Sequence, residues 1–575
     1  MRSGGSFLTD PLARQQALCR EDFTQEQREI HETVKDFARE KILPRKVELS
    51  ALNWPLTREL MLEAAAMGLT GVDVPEAYGG MGLDRVTSAL VAEGLTTGQC
   101  ASLLVTFLAH TGIGTLPIVY FGTDYLRQKY LPDLVSVETL GAYALSEPQA
   151  GSDALALSTS AEPTPDGDAF LLNGRKQFIS NAGWAQVFTV FAKIHGKDTA
   201  AFVVERSFPG FSVGPEEHKM GINGSSTCSL ILENCRVPKE NLLGEPGKGH
   251  DIAFNILNVG RFKLGAADLG GVKTSFQTAL AYALERKQFG SPIAFFDAIR
   301  WKLASMAALG FALDAVIYRT VGMMDERIAA LSRDDSDYGR KAMEALEEYA
   351  IEASICKVFG SETLSDVADE GIQIFGGYGF SEEYPLARVY RDNRVDRIFE
   401  GTNEINRMVI TGYFLRDALM EKLPVREAAK GWDHAPQPVE GPLAWEDAAL
   451  ERLRGLLLKF LEQAIILYGQ DLKNEGMAGE ALADLAIGYY AASSSFLRAA
   501  RTTRKEHLLA ARIFIHRVLE QTQARAAFLL PVLFPERERG KILEQARLLI
   551  PPTSAVDDVR RFTDLLYHRG NYFLD

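Results

Sequence analysis

Glu400, in the segment Asp396–Arg407 (DRIFEGTNEINR), is the carboxylate in this chain best suited to acid–base chemistry. It stands between Phe399 and Gly401. A carboxylate beside apolar residues loses part of its hydration, which raises its pKa towards that of a general base. The glycine allows backbone or ligand to come close. The same pattern is typical of a glutamate at a helix start with Thr402 as the N-cap, so the segment alone leaves both interpretations open.

A glycine-rich stretch, residues 376–379 (GGYG), precedes this segment. Its glycines permit positive φ angles and close contact with a flat or phosphorylated ligand. The stretch also fits a helix C-cap followed by a turn. A ligand role therefore depends on the segments found with it.

Together, residues 371–385 and 396–407 closely resemble the C-terminal signature of the acyl-CoA dehydrogenase family. Residues 143–153 (YALSEPQAGSD) resemble the other family signature. Residues 173–181 (NGRKQFISN) resemble the strand beside the flavin, with Phe178 and Ser180 where the family usually has Trp and Thr. Further resemblances are found at residues 74–80 (VPEAYGG) and at residues 286–290 (RKQFG), a segment that in the family crosses a subunit interface.

The resemblance implies an FAD cofactor, an acyl-CoA substrate and Glu400 as the catalytic base. Some members carry the base immediately before the residue that matches Arg261, and here that position is Gly260. The implied flavin contacts are Tyr143, Leu145, Ser146, Ser152, Phe178, Ser180, Arg286, Phe289, Gln373, Gly377, Thr402 and Glu404. The implied substrate contacts are Ser152, Arg261, Phe399 and Gly401. No metal site is expected.

Within the family, the very-long-chain branch is the most similar. Residues 260–262 (GRF) and 294–299 (AFFDAI) fit it, and the chain continues well past residue 415, where the ordinary family core ends. The implied reaction is α,β-dehydrogenation of a fatty acyl-CoA, with electrons passed to an electron-transferring flavoprotein. An acyl-CoA oxidase and a non-catalytic assembly partner remain alternatives. A flavin monooxygenase or nitroalkane oxidase is disfavoured, because those enzymes replace the glutamate.

Bulk properties limit the other function classes. The 575 residues allow several domains, and the net charge of −14 disfavours a nucleic-acid partner. Five cysteines without CxxC spacing indicate a reducing compartment. We find no uninterrupted apolar run of 18 residues and no presequence pattern. The expected location is the cytoplasm, or the mitochondrial matrix or inner-membrane face if a eukaryotic presequence has been removed.

The order of patterns predicts an α+β chain with the acyl-CoA dehydrogenase fold. We expect an α-helical domain over 22–140, a β-barrel-like domain over 141–248, a four-helix bundle with the base over 249–415, a linker over 416–442 and an added α-helical domain over 443–575. Thr24 and Gln27 form a capping-box pattern. Strands are expected at Val187–Ala192 and Ala200–Val204, and turns at Pro165–Gly167 and Asn173–Gly174.

The added helices have two open interpretations. They could replace the second subunit contact of four-subunit members, which predicts a homodimer. A basic run could instead give a peripheral membrane contact with anionic lipid, or simply form a solvated helical face. The run consists of Arg498, Arg501, Arg504, Lys505, Arg512 and Arg517.

Overall fold

The computed structural model describes residues 3–332, 337–434, 436 and 440–575, and helices of eight or more residues are numbered below. The first five are α1 Gln25–Phe37, α2 Trp54–Ala66, α3 Arg85–Leu95, α4 Ala101–Leu108 and α5 Asp124–Val135. The predicted capping box at the start of α1 is confirmed. The Gln27 N–H donates to Thr24 Oγ1 at 3.1 Å, and the Thr24 N–H donates to Gln27 Oε1 at 3.0 Å.

A mixed sheet follows these helices. Its strands are β1 Gly141–Ala144, β2 Ser160–Pro163, β3 Ala169–Ser180, β4 Val187–Ile194, β5 Asp198–Glu205, β6 Phe211–Glu216, β7 Thr227–Pro238 and β8 Leu242–Leu243. They run in the order β6-β7-β3-β2-β4-β5-β8, and β1 pairs in parallel with β4. The predicted strands at Val187–Ala192 and Ala200–Val204 are confirmed within β4 and β5. Strand β4 is buried along almost its whole length because both of its faces are covered.

One of the two predicted turns in this sheet is confirmed and the other is wrong. Between β2 and β3 the Gly167 N–H donates to the Thr164 carbonyl at 2.8 Å, as expected for a turn. Asn173 and Gly174 instead lie inside β3, where the pairing with β7 shifts register. A Cβ at position 174 would lie 2.4 Å from Thr159 Oγ1, so the glycine here permits close approach in a bulge.

Three long helices form the centre of the second helical region: α6 Gly249–Glu285, α7 Asp297–Ala329 and α9 Ala350–Phe375. They are accompanied by α8 Tyr338–Glu347, α10 Pro385–Asp392 and α11 Asn403–Leu419, and a small hairpin follows α6, with β9 Lys287–Gln288 and β10 Ser291–Pro292. Helices α6 and α9 can pack closely because Gly265 has no side chain. A Cβ there would lie 2.8 Å from the Cys356 carbonyl oxygen.

Two helical segments are long and apolar enough by composition to cross a membrane, although the sequence has no uninterrupted apolar run of that length. They are Ala101–Phe121 and Asp297–Ala329, whose most apolar windows are 78% and 89% buried. Both therefore pack inside the protein as core segments.

The helices expected at the end of the chain are present: α12 Ala444–Tyr468, α13 Gly476–Ala499, α14 Lys505–Leu533, α15 Glu536–Arg547 and α16 Ala555–Arg569. Helix α11 continues to Leu419, so the first residues of the predicted linker 416–442 are helical. A short helix, Val425–Ala428, lies further along the linker. Residues 435 and 437–439 of the linker lie outside the described residues.

The arginines of the basic run pair with groups of the same chain, although Arg501 and Lys505 are also exposed. Arg498 is 2% exposed and binds Asp314 and Glu21, each at 2.9 Å. Further along the run, Arg512 binds Glu446 at 2.9 Å. Arg501 and Arg517 also pair with carboxylates, and Arg504 donates to backbone carbonyls near the C-terminus. Arg498, Arg501 and Arg517 hold the added helices to the rest of the chain, whereas Arg504 and Arg512 bind within the added helices.

Candidate functional site

Glu400 lies in the turn just before helix α11, with its carboxylate against Gly260 of helix α6. A Cβ at position 260 would lie 2.5 Å from Glu400 Oε2, so a larger residue there would have to displace the carboxylate. Thr402 caps α11, because its hydroxyl accepts the Ile405 N–H at 3.3 Å. The helix-start interpretation is therefore correct as far as Thr402 is concerned, and Glu400 stands two residues before that cap, facing inwards.

The backbone around Glu400 is strained and firmly held. Glu400 has φ +56°, an uncommon conformation for a residue with a side chain, and Gly401 follows with φ +80°. Lys357 Nζ and Asn406 Nδ2 donate to the Gly401 carbonyl at 2.7 and 2.8 Å. Arg261 Nε donates to the Glu400 carbonyl at 3.4 Å. Three side chains from α6, α9 and α11 thus fix the turn that aims the carboxylate.

The electrostatic environment suits a base that works near neutral pH. Burial raises the pKa of Glu400 to about 7, although Arg261 and Lys357 oppose the shift. Burial also lowers the pKa of Lys357 to about 8. Among the described residues, Glu400 Oε2 has no hydrogen-bond partner. A carboxylate with these properties can accept a proton from a bound ligand.

The sheet and the loop after β1 carry four of the predicted flavin contacts, and one of them, Tyr143, lies near enough to Glu400 for its charge to act on it. Tyr143 and Leu145 are buried on and just after β1, and the Tyr143 hydroxyl donates to the Ala253 carbonyl of α6 at 3.2 Å. The pKa of Tyr143 is raised well above its ordinary value, mainly by burial and further by the charge of Glu400. At the end of β3, Phe178 sits where the pairing with β7 is interrupted, beside Ser180. Phe178 has φ +58° and is 64% exposed, which presents its ring to solvent.

The loop after β1, which carries Ser146 and Ser152, is pinned by a buried ion pair. Lys176 of β3 donates to Glu147 at 2.7 Å and to the Leu145 carbonyl at 3.1 Å, and neither side chain of the pair is exposed to solvent. Glu147 also accepts the Ser158 N–H at 2.6 Å. Ser152 is exposed within the loop. The pair therefore positions the loop whose hydroxyls were predicted to contact the flavin and the substrate.

A second group of predicted flavin contacts lies elsewhere. Arg286 is the C-cap of α6, 26 residues beyond Gly260, which corresponds to ~39 Å along the helix axis. It lines an open cleft with Gly377, and its guanidinium lies 5.6 Å from the Tyr378 ring centroid. Phe289, at the tip of the β9–β10 hairpin, is 95% exposed with φ +51°. One chain does not bring the two groups together.

The remaining predicted residues lie at helix ends. Gln373 is exposed in the last turn of α9, and Gly376 is its C-cap with φ +62°, so the C-cap interpretation of the glycine stretch holds as well. Glu404 is exposed in the first turn of α11, where a backbone N–H lowers its pKa. Phe399 is partly buried beside Glu400.

The residues that hold the Glu400 turn and the loop after β1 were not among the predicted site residues. Lys357 stands in an apolar stretch of α9 (ASICKVFG), and Lys176 and Glu147 lie in strand and loop segments whose other residues were the predicted contacts. A charged residue inside an otherwise apolar helical stretch was an available signal for Lys357. Asn406, in the segment after the glutamate, carried no such signal because asparagine is common at helix starts.

Comparisons with known proteins agree with this geometry. The acyl-CoA dehydrogenase N-terminal, middle and C-terminal domain models match residues 24–138, 142–235 and 247–412. A probable acyl-CoA dehydrogenase of Bacillus subtilis (strain 168) is 42% identical over 539 residues, 92% of this chain and 90% of the relative. The mitochondrial very long-chain specific acyl-CoA dehydrogenase of Bos taurus is 35% identical over 549 residues, 88% of this chain and 78% of the relative. A crystal structure of acyl-CoA dehydrogenase complexed with FAD from Bacillus anthracis has a TM-score of 0.96 and 41% identity, covering 100% of both chains.

Proposed function

Because this chain belongs to the acyl-CoA dehydrogenase family of FAD-dependent oxidoreductases, we propose that it oxidises long-chain fatty acyl-CoA thioesters to trans-2-enoyl-CoA in fatty acid β-oxidation and passes the electrons to an electron-transferring flavoprotein. The observation that carries the proposal is the Glu400 carboxylate, buried, unpartnered among the described residues and held against Gly260 with a pKa of about 7.

Glu400 removes the α-proton of the thioester. The proton is weakly acidic, so the developing negative charge on the thioester oxygen needs hydrogen-bond donors. In the described part of the chain the Glu400 backbone N–H has no hydrogen-bond acceptor, and it is free to donate to that oxygen. Displacing water from the site raises the basicity of the carboxylate further. Bound FAD supplies the acceptor for the β-hydrogen, which leaves as a hydride.

The residues present fit FAD. Phe178 offers an exposed ring in an uncommon backbone conformation, with the hydroxyl of Ser180 beside it, and a flat ring of this kind can stack on the flavin. Thr402 begins helix α11, whose N-terminal N–H groups favour a phosphate or another polar group. Arg286 and Phe289 offer a guanidinium and a second exposed ring at the distant cleft.

We also infer that the working unit is a homodimer. The ~39 Å between Gly260 and Arg286 is too long for both groups of flavin contacts to serve one site within a chain. Two copies related by a two-fold axis would let each cleft complete the partner's site. Exposed aromatic rings near the cleft, such as Phe289 and Phe380, support such a contact. The bacterial relatives support a cytoplasmic location.

The test is anaerobic reduction of the purified yellow protein by butyryl-, octanoyl- and palmitoyl-CoA. We expect palmitoyl-CoA to bleach the flavin most efficiently, and reduced enzyme to reoxidise quickly on mixing with electron-transferring flavoprotein. Oxygen uptake with peroxide release would favour an acyl-CoA oxidase instead. A flavoprotein that no acyl-CoA bleaches would favour the assembly partner.

A further inference from the structure

Strand β1, which carries Tyr143 and leads into Leu145, is short and buried along its whole length. It therefore has no alternation of buried and exposed side chains that would specify its register against its neighbours. The backbone N–H and C=O of its first residue, Gly141, are each bonded to a side chain from another element. We call these two side chains, from His110 and Asn181, the Gly141 clamp.

His110 is fully buried and uses both of its ring nitrogens. The Gly141 N–H donates to His110 Nδ1 at 3.0 Å, and His110 Nε2 lies 2.9 Å from the Leu134 carbonyl oxygen. A backbone N–H can only donate and a carbonyl can only accept, so these partners require a neutral ring with its proton on Nε2. Burial lowers the pKa of His110 to about 4, which agrees with a neutral ring.

Asn181 holds the other backbone group of Gly141. Its Nδ2 donates to the Gly141 carbonyl at 3.3 Å and to the Thr106 carbonyl of α4 at 3.0 Å, and the residue is fully buried. Asn181 directly follows the last residue of β3, and its φ of +65° is a conformation that asparagine adopts more readily than most residues. The Gly141 clamp therefore ties β1 to the end of β3, which carries Phe178 and Ser180.

The backbone that carries His110 has an uncommon conformation. Helix α4 continues into a π-helical turn, Ala109–Gly114, and such turns are rare and often lie at functional sites. Gly114 of this turn packs against β1, since a Cβ there would lie 2.8 Å from the Gly141 carbonyl carbon. The turn and the Gly141 clamp together fix the start of β1 against the end of α4.

We propose that His110 and Asn181 are positioning residues for the flavin, because they hold β1 and the end of β3 in the register that the flavin contacts on both strands require. The proposal rests on the proposed function, which places Tyr143 and Phe178 at the flavin. Both clamp residues act through the strands, so the loss of either bond at Gly141 should move the contacts on β1 relative to those on β3. A purely structural role would satisfy the same backbone groups. The two roles differ in what happens to the bound flavin.

The test uses two variants of His110 that each keep one of its bonds. The amide nitrogen of glutamine can take the place of Nε2, so His110→Gln keeps the donor to Leu134 and loses the acceptor for Gly141. The amide oxygen of asparagine can take the place of Nδ1, so His110→Asn does the reverse. The measurements are the visible absorption spectrum of the FAD-loaded proteins and the rate of flavin release, followed by flavin fluorescence after dilution. We expect His110→Gln to release FAD roughly tenfold faster than wild type with a changed spectrum, and His110→Asn to stay closer to wild type.

Asn181→Gly tests the other half of the clamp, because glycine suits the φ of +65° while the amide is lost. It should resemble His110→Gln. Thr70→Val is the matched control, since it removes a buried 2.6 Å bond to the Val135 carbonyl, next to Leu134, without touching β1. It should lower the melting temperature and leave the flavin spectrum and release rate unchanged.

Two results would overturn the proposal. One is equal flavin release from the two His110 variants, or wild-type release from a folded Asn181→Gly. The other is failure of all three clamp variants to fold beside a folded Thr70→Val, which would mean that the clamp serves the fold and not the flavin. A wild type that binds FAD but that no acyl-CoA bleaches would refute the proposed function and leave this proposal standing. A wild type that binds no FAD would remove both.

Discussion

Replacing Glu400 by Gln should abolish activity and at the same time stabilise the protein. Burial raises the pKa of this carboxyl from 4.5 to about 7. Since one pKa unit corresponds to about 1.4 kcal/mol, keeping the ionised group in the fold costs up to about 3 kcal/mol. Glutamine has the same shape and no charge, so Glu400→Gln removes this cost. It also removes the base, which should lower the rate of flavin reduction by at least ~10²-fold.

The gain in stability should depend on pH in a defined direction. Below about pH 4.5 the carboxyl is protonated in both folded and unfolded chains, and the two proteins should be equally stable. Between about pH 4.5 and 7 the unfolded wild type releases its proton while the folded form keeps it, so wild-type stability falls. Above about pH 7 the full difference is present. The measurement is thermal and urea denaturation of both FAD-loaded proteins at about pH 5 and pH 8.

Glu404→Gln is the matched control, because Glu404 is an exposed carboxylate of the same segment. Its pKa is lowered by a backbone N–H at the start of α11, so this variant should lose a little stability at neutral pH. Equal stability of wild type and Glu400→Gln at both pH values would show that the buried charge carries no cost. Turnover of Glu400→Gln near the wild-type rate would disprove its role as the base.

Three further outcomes follow from the contacts described above. Gly260→Glu should lower the melting temperature, since its Cβ would lie 2.5 Å from Glu400 Oε2. Adding Glu400→Gly to this variant should restore folding and part of the flavin bleaching, because glycine suits the φ of +56° at position 400. A folded, substrate-binding but inert double variant would contradict this geometry. Lys176→Met leaves the buried Glu147 without its cation and should reduce the free energy of unfolding, measured by urea titration, by about 3–5 kcal/mol. Combining Lys176→Met with Glu147→Gln should recover part of this loss. A single variant as stable as the wild type would mean that water solvates the pair. Ending the chain at Leu419 should cause aggregation, because it uncovers apolar faces of α7 and α11, and light scattering that finds a clean dimer would refute this.

Local patterns predicted those fold features that depend on residues close together in sequence. The capping box of Thr24 and Gln27 and the strands at Val187 and Ala200 were predictable, because capping and apolar runs act within a few residues. The turn expected at Asn173–Gly174 was wrong for a tertiary reason. There the glycine lets β3 pass close to Thr159, and a sequence pattern does not distinguish a turn glycine from a bulge glycine.

The sequence allowed Glu400 to be predicted as the base, which stays a prediction, but it did not reveal the residues that hold it. Glu400 followed from its neighbours and from the resemblance, and its position against Gly260 agrees with the reasoning that a glycine there leaves Glu400 as the base. The role of Lys357 could not be predicted, although its charge inside an apolar stretch was a signal that the residue is unusual. Its hydrogen-bond partners, the Gly401 carbonyl and Asn403, lie more than forty residues away in sequence, so only the fold brings these groups together.

The buried position of Arg498, one member of the basic run, could not be predicted for the same physical reason. Three cations and three carboxylates form one cluster, which is buried except at Asp575: Arg20, Lys273 and Arg498 with Glu93, Asp314 and Asp575. The carboxylate oxygens lie within 4.8 Å of one another, so each depends on the cations between them. Removing a buried member, such as Arg20 or Asp314, leaves an uncompensated charge in the interior, which is strongly destabilising. The added helices are therefore joined to the catalytic core by charges that a helix-by-helix interpretation assigns to the surface.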